Sequence, residues 1–168
     1  MTKQSELQLE NNLITQLVGL GYHKVTVLDA DSLIANLKSQ LEKLNKLPFS
    51  DKEFETILNH LAKGNVFEKS KTLRGRFQFV NDLGEATYIR FFNSEDWNSN
   101  LFQVTNQIAQ EGTYKNRYDV TLLVNGLPLV QIELKRRGLE IKEAFNQINR
   151  YQKHSFWSNR GLFQYVQL

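Results

Sequence analysis

Two runs decide the fold: Tyr118-Asp119-Val120-Thr121-Leu122-Leu123-Val124 and Leu127-Pro128-Leu129-Val130-Gln131-Ile132-Glu133-Leu134-Lys135, joined by Asn125-Gly126. In the second run, Val130, Ile132 and Leu134 alternate with polar residues. Side chains two apart share one face of a strand, so these three point to a core while Glu133 and Lys135 point together the other way. In the first run Val120, Leu122 and Val124 are the apolar set, with Asp119 and Thr121 opposite. A two-residue Asn-Gly turn would pair Val124 with Leu127, and hence Asp119 with Ile132, which mixes the two faces. A consistent apolar face needs partner numbers with an even sum, such as Asp119 opposite Glu133. The pattern therefore predicts an odd-length loop or a β-bulge despite the Asn-Gly signal.

Working outward, Leu9, Leu13, Ile14, Leu17 and Val18 recur at helical spacing and predict a first helix over about residues 5–18. Asp31 or Ser32 is expected to cap a second helix carrying Leu33, Ile34, Leu37, Leu41 and Leu44, which Pro48 ends. Ser50 and Glu53 form a capping box for a third helix, with Phe54, Ile57, Leu58 and Leu61 as its stripe and Gly64-Asn65 as its stop. Residues 76–80 and 86–92 flank an NDLGE turn and predict a hairpin. An extended segment over about 100–110 precedes the central strand pair. A last helix is expected over about 140–154, with Ala144, Ile148 and Tyr151 on one side. Residues 162–168 read as a strand reaching the final residue, which predicts an excised piece of a longer chain.

Composition bounds the function. The 168 residues are 40% hydrophobic and 23% charged, as in one globular domain. No apolar run approaches the ~18 residues of a membrane span, and the polar N-terminus lacks a signal-peptide layout, so a cytoplasmic location is expected. The absence of cysteine excludes disulfides, thiolate metal sites and cysteine nucleophiles. His23, His60 and His154 are too scattered for a zinc site. Phe91, Phe92 and Trp97 read as core. Residues 114–160 hold nine basic and four acidic side chains, against twelve and fourteen elsewhere. Such a basic segment on a weakly acidic body suits a polyanion, although a solvated basic surface carries the same charge.

Asp119 and Glu133 on one face can hold a hard divalent cation through oxygen, and Lys135 beside them can orient a water or stabilise developing negative charge. An ordinary amphipathic hairpin has the same Glu-x-Lys spacing, and spacing alone does not choose between them.

Asn116-Arg117-Tyr118-Asp119-Val120, Asn125-Gly126-Leu127-Pro128-Leu129-Val130 and Glu133-Leu134-Lys135-Arg136-Arg137-Gly138, followed by Ala144-Phe145-Asn146-Gln147-Ile148-Asn149-Arg150-Tyr151, resemble the nuclease segment of type I restriction enzyme R subunits. Gln147-x-x-x-Tyr151 resembles the element of the RecB-like branch of PD-(D/E)xK nucleases. Toward the N-terminus, Leu9-Glu10-x-x-Leu13-Ile14-x-x-Leu17 before Gly21-Tyr22 is similar to the family's opening helix.

The resemblance implies an α/β PD-(D/E)xK fold with a mixed central sheet flanked by helices. Residues 1–168 would be an endonuclease domain, an excised N-terminal fragment truncated at its C-terminal end. It implies Asp119 and Glu133 as Mg²⁺ ligands, Lys135 as catalytic lysine, Gln147 and Tyr151 as supports or DNA contacts, and Glu10 as a further acidic candidate. Tyr118 stands where the family name has proline, a departure common among type I R subunits. Arg136, Arg137, Lys142 and Arg150 are the expected phosphate contacts. Double-stranded DNA would be the substrate, with modification and specificity subunits as partners of the full-length protein. No GxxxxGK[ST] loop occurs, so ATP is expected only in a full-length subunit. The rival readings are a catalytically idle DNA-binding or subunit-docking module and a stand-alone RecB-like repair nuclease.

Overall fold

The computed structural model describes residues 5–110, 116–135, 141–154 and 159–166. Helix α1 (Glu6–Gly19) starts where Ser5 and Gln8 exchange side-chain-to-backbone bonds, satisfying two first-turn N–H groups. A two-residue strand, β1 (His23–Lys24), follows. Helix α2 (Ala30–Asn45) is capped by Asp29 rather than by Asp31 or Ser32, because Ser32 takes the third helical position and returns the bond. It stops at Lys46, which is left-handed at φ 54°, two residues before Pro48. Helix α3 (Asp51–Ala62) begins on the expected Ser50–Glu53 box.

Helix α4 (Val66–Arg74) is not predicted by the sequence pattern. Asn65, read as a stop, is itself the cap of α4, and Glu68 closes its box. Asparagine serves both ends of helices, so it did not announce the new start. Lys69 of α4 is fully buried, and its ammonium donates to the carbonyls of Leu61 (2.6 Å) and Lys63 (3.2 Å) at the end of α3. Burial lowers its pKa, while the carbonyl ends of α3 and the Tyr165 ring, 4.9 Å from Nζ, favour the cation. Lys69→Met keeps the apolar stem and loses both bonds. It is expected to cost about 1–3 kcal/mol in urea denaturation.

Strands β2 (Arg76–Val80) and β3 (Ala86–Arg90) form the expected hairpin as a separate two-stranded sheet. Strands β4 (Phe102–Gln110), β5 (Asn116–Val124) and β6 (Leu127–Ile132) complete the main sheet, ordered β1-β4-β5-β6. β1 runs parallel to β4 and the other neighbours are antiparallel, so the sheet is mixed. Helix α5 (Ile141–His154) follows. On one face of the sheet, Val104 and Val120 pack against Ile14 of α1, with Leu13, Leu17, Leu122, Ile132 and Leu134 around them. On the other, Leu123 and Leu127 join the larger core of α2, α3 and the hairpin. Helices thus flank a mixed sheet, as expected. The polar face of the strand pair is buried rather than solvated: Thr121 donates to Gln131 across it at 2.8 Å.

The β5–β6 turn uses both devices that the pattern had set against each other. Asn125 (φ 50°) and Gly126 (φ 84°) make a two-residue turn, with the two positive φ angles of a type I′ turn. It pairs Val124 with Leu127 and Leu123 with Pro128; the register then shifts, and Leu122 meets Val130, Thr121 Gln131 and Val120 Ile132. Leu129 is the extra residue of a bulge, and beyond it the partner sums are even.

Two expectations are corrected. Residues 159–165 form a 3-10 helix, not a strand. Leu162/Tyr165 and Phe163/Val166 are apolar at a spacing of three, the repeat of that helix, and Leu162, Phe163 and Tyr165 are buried. The expected break inside a strand is therefore not found among the described residues. Trp97 is 62% exposed, edge-on to Phe92 at 4.9 Å, because a 3-10 turn capped by Asp96 holds it on a loop; Phe91 is in the core. No helix among the described residues is long and apolar enough to cross a membrane.

Candidate active site

The shifted register, carried one step past Val120–Ile132, sets Asp119 against Glu133. The ladder ends there because a side chain replaces the backbone acceptor: the Leu134 N–H donates to Asp119 Oδ2 at 2.8 Å. Lys135 folds back, and its ammonium donates to Glu133 Oε1 at 2.6 Å. Asp119, Glu133 and Lys135 are thus brought together.

Strand β5 also changes face at this point. β4 and β5 pair Asn106 with Val120 and Ile108 with Tyr118, while Gln107 between them is left-handed at φ 59°. Val120 packs toward α1, whereas Tyr118 and Ile108 join the larger core. A non-glycine residue at positive φ is costly and needs surroundings that hold it. Glu10 supplies them: its buried carboxylate accepts from Gln107 Nε2 at 2.9 and 2.8 Å and from Asn106 Nδ2 at 3.3 Å. Glu10 therefore sits against the β4 segment that flanks Asp119, engaged by two amides. Nothing in the sequence had marked Gln107 or Asn106.

The electrostatics follow from burial. The Glu133 side chain is only 1% exposed, and its Oε2 is buried without a hydrogen-bond partner. Burial pushes its carboxyl up from 4.5 to about 7, the Lys135 hydrogen bond opposes this, and the neighbouring charge of Asp119 adds to it. Burial alone would lower the Lys135 ammonium, but the bond and charge of Glu133, with the charges of Asp119 and Glu6, outweigh it and hold its pKa above the ordinary lysine value.

Helix α5 braces the strand from outside. The Tyr151 hydroxyl donates to the Arg117 carbonyl at 3.1 Å and accepts from Gln147 Nε2, and its ring meets Tyr118 edge-on at 4.8 Å. Burial raises the Tyr151 pKa; the Gln147 bond opposes that, and the charges of Glu133 and Asp119 reinforce it. Gln147 and Tyr151 thus hold the backbone immediately before Asp119. Tyr151→Phe loses the bond to Arg117 and is expected to cost about 1 kcal/mol in thermal denaturation. Lys142 and Arg150 are exposed on α5, and the Arg150 guanidinium lies 5.9 Å from the Tyr151 ring centroid. Arg136 and Arg137 lie outside the described residues.

An orphaned, buried carboxylate oxygen beside a second carboxylate is a donor set that fits a hard cation. Among the described residues no group of three or more acidic or histidine side chains gathers to hold a metal; Asp119 and Glu133 offer two carboxylates side by side.

Fold and site together define an α/β domain that holds two carboxylates and a lysine at the end of a mixed sheet. The chain belongs to the family described as type I restriction enzyme R protein N terminus, which it matches over residues 3–168. It is 45% identical over 173 residues to the SauMSSORF170P type I restriction enzyme endonuclease subunit of Staphylococcus aureus strain MSSA476, covering 100% of this chain and 18% of that protein. With the EcoprrI endonuclease subunit of Escherichia coli it shares 45% identity over 172 residues, 98% of this chain and 55% of that one. A putative type I restriction enzyme subunit, MjaVIIIP of Methanocaldococcus jannaschii, is 28% identical over 127 residues, 74% of this chain and 11% of its own. The chain thus spans between about a tenth and just over half of these relatives' lengths.

Proposed function

We propose that this chain is the PD-(D/E)xK nuclease domain of a type I restriction endonuclease subunit and hydrolyses phosphodiester bonds of double-stranded DNA with Mg²⁺. The observation that carries the reading is the buried, orphaned Glu133 oxygen beside Asp119, with Lys135 bonded to the same carboxylate. Asp119 and Glu133 would hold the cation. When bound, Mg²⁺ supplies Lewis acidity at the phosphate and lowers the pKa of a water. The Leu134 N–H fixes the Asp119 carboxylate through Oδ2. Lys135, kept charged by its acidic neighbours, offers an ammonium to orient the attacking water or to meet negative charge developing on the phosphate. Glu10, through Gln107, and Gln147 with Tyr151, through Arg117, hold the backbone on either side of Asp119. In the cytoplasm the full-length subunit would work with modification and specificity subunits, and ATP would belong to its other domains.

Plasmid nicking by the chain, in Mg²⁺ and in EDTA, tests this. Lys135→Ala is expected to lower nicking about 10²-fold. Nicking unchanged in Asp119→Ala would contradict the site. A wild-type chain that nicks nothing in either condition would favour the idle DNA-binding or docking module.

A further inference from the structure

A second cationic surface lies on elements that contribute nothing to the carboxylate site. The end of α2, the β3 strand and the loop after it enclose a cavity of about 470 Å³, lined by Lys43, Lys46, Arg90, Tyr88, Asn93 and Ser99 among others. A smaller cleft of about 50 Å³ opens between the end of α4, the start of β2 and the loop after β3, lined by Arg74, Arg76, Arg90 and Glu95. Arg90 belongs to both, so the two depressions adjoin. Five cations therefore surround one band, against a single lining carboxylate, Glu95, which reaches Arg90 only at 3.8 Å and is itself exposed. Lys43, Lys46, Arg74 and Arg76 are all exposed and make no ion pair among the described residues.

The backbone beneath is built to hold this arrangement. Asn45 accepts from the Arg90 N–H at 2.8 Å and donates to the Arg90 carbonyl at 3.0 Å, locking the end of α2 to β3. Asn93 donates to Ser99 at 2.7 Å across the loop that closes the cavity. The cations are thus carried on fixed elements around a preformed concavity rather than scattered over a convex surface.

We propose that the Arg90 band is a second DNA-binding surface, which takes the phosphate backbone of duplex DNA that the carboxylate site does not contact. Guanidinium groups present paired donors that match phosphate oxygens, and the lysines add point charges. A cavity of this size admits a phosphodiester with its sugar, and the exposed Tyr88 ring forms one wall. Neutralising phosphates releases counterions, so binding here is salt-dependent and indifferent to sequence. DNA as the polyanion rests on the nuclease reading; the surface itself uses none of Asp119, Glu133 or Lys135.

The test is fluorescence anisotropy of a labelled duplex of about 20 base pairs, in EDTA so that no cleavage intervenes, over a series of salt concentrations. The two double variants Lys43→Gln/Lys46→Gln and Arg74→Gln/Arg76→Gln change only exposed side chains. Each is expected to weaken binding about tenfold and to flatten the salt dependence by roughly one to two ion equivalents. Arg90→Gln, shared by both clefts, is expected to weaken it as well. An unchanged dissociation constant and salt slope in both double variants overturns the proposal. So does binding of polyglutamate as tight as that of the duplex, which would assign the surface to an acidic protein partner. A nuclease reading that fails on Asp119→Ala leaves this binding result intact, so the two failures are distinguishable.

Discussion

Replacing Glu133 by glutamine is expected to cut metal-dependent cleavage about 10²–10³-fold while making the metal-free domain more stable at pH 8. The two effects share one cause. Burial and Asp119 hold the Glu133 carboxyl at about 7, against 4.5 ordinarily. A carboxyl raised in the folded state binds its proton more tightly there than in the unfolded chain. Its stabilising contribution is therefore complete below about pH 4.5 and is lost as pH rises through about 7. The loss amounts to up to about 3 kcal/mol. Glutamine imitates the protonated form at every pH, so Glu133→Gln should lack this component of the pH dependence in urea melts run in EDTA. Lys135 loses its charged partner in the variant, which makes the gain smaller than the full loss in wild type. Parallel stability–pH curves for the two proteins would contradict the buried-carboxylate description. A cation bound between Asp119 and Glu133 should restore stability to wild type above pH 7 and not to the variant.

The second large effect is on the fold. Gly126→Ala is expected to cost about 3 kcal/mol, with a melting temperature lower by about 6–12 °C. Gly126 has φ 84°, which an L side chain rarely adopts, and a Cβ there would lie 2.6 Å from the Leu37 Cα. That is a backbone atom of Leu37, which is fully buried in α2, and it cannot move aside as a flexible side chain would. Asn125 pins the same turn, donating to the Phe91 carbonyl at 3.1 Å and to Asn100 at 2.8 Å and accepting from Leu101 N at 2.9 Å. Gly84→Ala provides the control. It has nearly the same φ, 83°, but nothing within 4 Å of the added carbon. Only the conformational cost remains, about 1 kcal/mol. Equal losses for the two variants in urea denaturation would show that the turn is not seated on α2.

The strand pair was legible because alternation is a parity rule, and parity forced a choice that turn chemistry alone decides the other way. Asn125-Gly126 makes its turn, and the Leu129 bulge reconciles it with the apolar face. The capping box at Ser50 was legible because it is a local signal, whereas the Ser5–Gln8 box was not read and Asn65 hid the start of α4 by also resembling an end. Tertiary burial was not legible. Nothing local distinguishes Lys69, which is buried, from Lys71 two residues on, which is exposed. The same holds for the Glu133 side chain, which alternation places on a polar face and the structure leaves only 1% exposed. The Arg90 band was not legible because its cations come one or two at a time from α2, α4, β2 and β3, and only the fold gathers them. For the carboxylate site, the sequence indicated Asp119, Glu133 and Lys135 as neighbours, and the structure brings them together. It had no means of showing that Glu10 is engaged by Gln107 and Asn106.

Asp119 and Glu133 are proposed to form one cation site. Calorimetric titration of Mn²⁺ into the wild-type chain and into Asp119→Ala tests it most directly, with circular dichroism to show that both are folded. One ion bound per wild-type chain and none by the variant is the expected result. The same heat in both proteins, whether from equal binding or from no binding at all, would contradict it.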